Sequence, residues 1–235
     1  MTRHAELRAR IEASADPERA AHSARFFKTG PGQYGCGDRF RGIRVPVLRR
    51  LAREFSALDL VDCTTLLHSA WHEDRLLALL ILVEHYRRGS PEKREVIHRL
   101  YLDNIGHINN WDLVDTSAEH IVGAHIDGDN PGLLDELAES ANLWERRIAV
   151  IATFHFIKRG EYGPTLRLAE RLLRDREDLI HKAVGWMLRE VGKRAPESAH
   201  DFLKRHFRVM PRTMLRYAIE RFPEPQRRAY LAKRA

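Results

Sequence analysis

Apolar residues return every three or four positions along almost the whole chain, and strict apolar–polar alternation of useful length is missing. That period can bury a continuous stripe only if the segment is a helix, so the expected fold class is all-α. Val47 to Phe55 sets Leu48, Leu51, Ala52 and Phe55 on one stripe, and Arg75 to Tyr86 does the same with Leu76, Leu79, Leu80, Val83 and Tyr86. Both read as amphipathic helices. The same spacing predicts helices over Lys93–Leu102, Leu113–Val122, Leu133–Ser140, Glu145–Lys158, Leu166–Leu173, Asp178–Gly192 and Ala199–His206.

Punctuation separates these segments. Gly89-Ser90-Pro91, Gly128-Asp129-Asn130-Pro131-Gly132 and Gly160-Glu161-Tyr162-Gly163-Pro164 place Pro or Ser where a following helix would start. From Trp71 onward, successive helix pairs span roughly 35–40 residues, the range of helical-repeat arrays. The expectation is one domain over residues 1–235, an α-solenoid of HEAT-like repeats, with a compact helical bundle as the competing arrangement. The longest irregular stretch, Thr29 to Asp38, carries four glycines and is too long for an ordinary turn. It reads as a functional loop or a flexible connector. No Gly-x-x-x-x-Gly-Lys-Ser/Thr pattern follows it, which argues against nucleotide binding.

Hydrophobic residues at 43% and charged residues at 31% describe a chain able to fold throughout. Forty Lys and Arg against thirty-three Asp and Glu leave a formal charge of +7, which favours a polyanionic partner, nucleic acid ahead of a membrane surface. Cys36 and Cys63 form no Cys-x-x-Cys pair, so reduced thiols and a cytoplasmic setting are the expectation. Nothing near Met1 resembles an export leader, and no apolar run approaches the ~20 residues needed to span a bilayer. Thirteen histidines include no His-Glu-x-x-His, and His120 with His125 is wrongly spaced for one helical face, so neither a metal nor another cofactor is expected.

Asn109-Asn110-Trp111-Asp112-Leu113-Val114-Asp115 is the most informative stretch, because Trp111 and Asp115 share a face if the segment is helical. Two readings compete. Either an aromatic plate flanks a working carboxylate, or Asn110 or Asp112 caps a helix while Trp111 packs in the core. Trp144-Glu145-Arg146-Arg147 opens another helix, and His181 to Arg189 sets Trp186 between cations; either could line a groove or present a solvated face. Gly185 within that helix points to close backbone approach, if only by a neighbouring helix. Arginines cluster between Arg39 and Arg53 and again between Arg205 and Arg228, and in a solenoid such cations could align along one wall.

Five ordered pieces carry a resemblance: Ala24-Arg25-Phe26-Phe27-Lys28, Tyr34-Gly35-x-Gly37-Asp38-x-Phe40-x-Gly42-Ile43-Arg44-Val45-Pro46, Trp111-Asp112-x-Val114-Asp115, Trp144-x-x-Arg147, and Lys182-Ala183-Val184-Gly185-Trp186-x-Leu188-Arg189-Glu190. Together they resemble the AlkD-like DNA alkylation-repair glycosylases. The resemblance implies a superhelix that holds duplex DNA on a concave face and hydrolyses the N-glycosidic bond of cationic N3- or N7-alkylated purines, leaving the lesion stacked. It implies catalytic roles for Trp111, Asp115 and Trp186. DNA contacts are implied for Arg147, Phe26, Lys28, Arg44, Lys182 and Arg189. A monomer on double-stranded DNA is the expected assembly. Phe26 stands where a family tyrosine would offer a hydroxyl, and Cys36 where many relatives resemble Tyr-Gly-Glu-Gly-Asp. A catalytically silent DNA-binding solenoid and a protein-interaction scaffold are the alternatives.

Overall fold

The computed structural model describes residues 2–126 and 132–232. Most of the connector at Gly128 to Pro131 lies outside the described residues. Among those described, no strand forms; the nearest thing is one isolated bridge between Arg39 and Trp71. The all-α expectation holds, and consecutive helices pack pairwise as repeat proteins do.

The described residues gather into two compact units, divided between Ile121 and Val122. The first holds α1 (Arg3–Ala13), α2 (Pro17–Phe26), α3 (Val45–Glu54), α4 (Leu60–Leu67), α5 (His72–Arg88), α6 (Pro91–Asp103) and α7 (Trp111–Ala118). Helix α5 is its hub, with α3, α4, α6 and α7 packed against it. Here the structure corrects the sequence reading. The segment is not a surface helix with one apolar stripe, since every residue from His72 to Leu82 is buried. The leucines run on all sides, as in a helix enclosed by its neighbours. Four successive ionisable residues, His72, Glu73, Asp74 and Arg75, therefore open a buried helix. Each must find a partner, because an unpaired charge in that setting costs far more than folding can spare.

Glu73 finds backbone. The extended segment before α3 turns the N–H groups of Arg41, Gly42 and Ile43 onto its carboxylate at 2.9, 2.8 and 3.2 Å. Gly42 sits at φ +78°, and a Cβ there would meet the Asp16 carbonyl at 2.1 Å, so only glycine fits. Asp74 takes a two-toothed hold from the Arg41 guanidinium at 2.8 and 3.1 Å, while Glu12 accepts from the same group at 2.6 Å.

The second unit holds α8 (Gly132–Glu139), α9 (Leu143–Ala152), α10 (Phe154–Lys158), α11 (Gly163–Arg171), α12 (Asp178–Arg194), α13 (Pro196–His206), α14 (Arg212–Ala218) and α15 (Glu224–Ala232). Its hub is α12, against which α9, α11, α13 and α14 pack. The helix expected over Glu145–Lys158 is two helices. The Thr153 hydroxyl donates to the Val150 carbonyl at 2.7 Å and the Thr153 N–H reaches the same oxygen, which interrupts the ladder between α9 and α10. Two breakers behave as read: Ser90 caps α6 by accepting from the Lys93 N–H, with Pro91 in its first turn, and Gly160 adopts φ +82°. Among the described residues, no helix is long and apolar enough to cross a membrane.

Candidate functional site

In the first unit, α7 begins at the residue the sequence reading singled out. Asn110 is its cap, its side-chain oxygen accepting from the Trp111 N–H at 2.9 Å. Asp112 accepts from the Leu113 N–H at 2.9 Å with one oxygen and faces the His72 imidazole at 2.8 Å with the other. The capping reading is thus right about Asn110. Trp111 itself is half-buried: one face stacks on Phe27 at 5.2 Å, the Phe26 ring meets it at 6.0 Å, and its Nε1–H donates to the Tyr34 hydroxyl at 3.3 Å. Asp115 lies one turn further along α7 on the same side, also half-buried. Burial first, and then the Asp115 charge, push the Tyr101 phenol upward.

Phe26 ends α2 with 58% of its surface exposed, yet its ring touches Trp111 from 85 positions away in sequence. The structure therefore brings two of the expected site residues together into one accessible aromatic surface. Lys28 follows at φ 54° and is exposed, and Arg44 is exposed at the start of α3. The glycine-rich stretch is a series of turns tied down at its ends. The Gly35 N–H donates to the Lys28 carbonyl, and a Cβ on Gly35 would lie 2.4 Å from the Phe27 carbonyl.

Behind this surface lies a polar cluster that the sequence reading missed. The His72 ring faces Asp112 through Nε2 at 2.8 Å and Asp38 through Nδ1 at 3.4 Å. Arg75 donates to Asp38 at 2.7 Å and to the Asn109 side chain at 3.2 Å, and the Asn110 amide donates to Asp38 at 3.4 Å. Phe27 and Phe40 close on the His72 ring at 4.9 and 4.7 Å. Burial alone would lower the His72 pKa, but its hydrogen bonds to Asp112 and Asp38 raise it to about 9. Burial pulls Asp38 upward, and His72 with Arg75 more than reverse this, leaving its carboxyl below the usual range. The available signal was the run of four ionisable residues directly before the apolar stretch Leu76–Leu82.

In the second unit, Arg147 is buried on α9 and donates to the Leu179 carbonyl at 2.5 Å, in the first turn of α12. Trp144, its motif partner, is buried as well. On α12, Lys182, Trp186 and Arg189 follow at spacings of four and three and share a face. Lys182 pairs with Asp178 at 2.8 Å, and Arg189 pairs with Glu220. Trp186 is half-buried with its ring 6.0 Å from Phe154. The close approach implied by Gly185 is that of α14, because a Cβ there would lie 2.5 Å from the Met214 carbonyl and 2.6 Å from the Tyr217 Cβ.

A structure described as a predicted DNA alkylation repair enzyme from Enterococcus faecalis superposes with a TM-score of 0.70 at 18% identity, covering 90% of this chain and 98% of its own. At that identity the likeness shows a shared fold. The smu.31 protein of Streptococcus mutans UA159 is 17% identical over 88% of this chain and 92% of its own, at a TM-score of 0.47. No curated protein matches the sequence. The DNA alkylation repair enzyme family matches over residues 7–222, a span that takes in every motif from the Ala24–Lys28 piece to the Lys182–Glu190 piece. With those motifs in order along nearly its whole length, the chain belongs to the DNA alkylation repair enzyme family.

Proposed function

We propose that the protein is a DNA glycosylase that releases N3- or N7-alkylated purines, such as 3-methyladenine and 7-methylguanine, from duplex DNA without flipping the base. The observation that carries this reading is the α7 geometry: the Asp115 carboxylate stands one turn from Trp111, and Trp111 forms an accessible aromatic surface with Phe26. An alkylated purine already bears positive charge, so it departs neutral when the C1′–N bond breaks and needs no general acid. Charge then develops on the sugar. A fixed carboxylate stabilises that oxocarbenium character and orients the water whose oxygen attacks C1′ as its proton passes to the carboxylate. Aromatic faces favour the same cationic sugar. In the second unit, the Lys182, Trp186 and Arg189 face of α12 supplies contacts to nucleic acid, whereas Arg147, expected as a DNA contact, is buried with its guanidinium on the Leu179 carbonyl and braces the start of that helix.

Incubation of the protein with duplex DNA containing 7-methylguanine, followed by detection of the released base, tests the activity directly. Asp115→Asn keeps the shape of the side chain and one acceptor oxygen but removes the charge. Single-turnover excision is expected to fall about 100- to 1000-fold while duplex affinity and thermal stability hold. A folded Asp115→Asn protein that binds DNA and excises at the parental rate would make Asp115 a structural residue.

A further inference from the structure

We infer that His72 is the positioning residue for Trp111, acting as a doubly donating imidazolium that brackets the Trp111 turn between the end of the glycine-rich loop and the first turn of the buried hub helix. The geometry runs on both sides of Trp111. The residue before it, Asn110, donates to Asp38, and the residue after it, Asp112, faces His72 at 2.8 Å. Asp38, at the end of the loop, is the second oxygen partner of the same His72 ring. An ionised carboxylate only accepts, so a ring set between two of them satisfies both only when both its nitrogens carry protons. Arg75 is the other cation of the cluster and takes the remaining Asp38 oxygen at 2.7 Å, so two cations and two carboxylates close on one another.

The aromatic packing repeats the constraint. Phe27 is stacked between Phe40 at 5.1 Å and Trp111 at 5.2 Å, and both phenyl rings lie against His72. Tyr34, from the middle of the loop, holds the indole N–H. The Trp111 ring is thus fixed by its two chain neighbours, its stacking partner and its own N–H, and all four of these anchors trace to His72 or to the loop it pins. An aromatic contact to a sugar or base is worth most when its position is set before the substrate arrives.

This inference rests on the glycosylase reading for its kinetic arm and stands apart from it in its spectroscopic arm. Nitrogen-15 spectra of the intact protein, with the Trp111 indole signal assigned through Trp111→Phe, are to be compared with those of His72→Gln, Asp112→Asn and the double variant. The expected result at pH 7.5 is an imidazolium signature for His72 in the parent and a displaced Trp111 indole signal in each variant. Single-turnover excision is expected to drop about 10- to 100-fold in each single variant at little-changed duplex affinity, with the double variant no worse than the weaker single. If His72→Gln does not fold, Asp112→Asn reports the same link from the less buried partner. A neutral His72 ring, an unmoved Trp111 signal in a folded variant, or additive kinetic losses would overturn the proposal. A parent that excises nothing would sink the glycosylase reading instead, and the indole signal would still decide the role of His72.

Discussion

Burial would strip the proton from an isolated histidine, yet Asp112 and Asp38 lift His72 from an ordinary value of 6.5 to about 9. The folded value lies above the unfolded one, so the stability this group contributes is complete below about pH 6.5 and is lost as pH rises through about 9. With the ring almost wholly enclosed, the contribution is on the order of 3 kcal/mol. Urea midpoints are expected to fall between pH 7 and 10 in the parent and to fall less in His72→Gln; equal slopes would remove His72 as the cause. Asp38 works in the opposite direction, its contribution disappearing only as pH drops below the ordinary carboxylate range. At this scale, local relations were legible and distant ones were not. The Trp111–Asp115 spacing and the Asn110 cap span a single turn of helix and can be read from neighbours alone. His72 meets its partners across 34 and 40 positions, and Phe26 meets Trp111 across 85, distances at which one sequence carries no pairing signal.

Helices α12 and α14 approach so closely at Gly185 that the Met214 carbonyl occupies the space a side chain would need. Alanine is the better helix former by about 1 kcal/mol, but its methyl would force two backbones apart. Gly185→Ala is expected to destabilise the protein by about 2 kcal/mol despite the gain in propensity, read as a lower thermal midpoint by circular dichroism. A raised midpoint would show that the two helices separate without strain. The sequence hinted at this approach without naming the neighbour. It misjudged α5 because apolar residues counted along one stripe were also present on the others, and only packing reveals that all sides are enclosed. It passed over α1 and α2, which offer two buried apolar residues and none, and over α4, α14 and α15, each under ten residues, where two turns give few repeats from which a period can emerge. The break at Thr153 escaped for another reason: it depends on one hydroxyl's choice of carbonyl.

Across the molecule, a formal charge of +7 dispersed mainly as arginine points to phosphate as the dominant contact. Duplex affinity is expected to fall steeply with salt, by about 1000-fold or more between 50 and 200 mM if six or more phosphates are engaged, and to vary little with sequence. Competition binding on unrelated duplexes across a salt series measures both, and a salt-insensitive, sequence-specific complex would contradict the assignment of these cations. The all-α class was legible because helical period is a property of every segment separately. The grouping of helices about α5 and about α12 was not, because period says what a segment is and nothing about which helix becomes a hub.

The capture of three successive amides by Glu73 has a consequence for motion. Segment 41–43 has no regular secondary structure, and such stretches ordinarily exchange their amide hydrogens with solvent within a short time. Here each N–H is held by a carboxylate on the first turn of the most enclosed helix of its unit. Local fraying cannot free them, since releasing one strands a buried negative charge that the other two must still satisfy. The segment keeps time with the hub: its hydrogens are expected to exchange only when α5 itself lets go, which native-state hydrogen exchange of segment 41–43 against α5 measures.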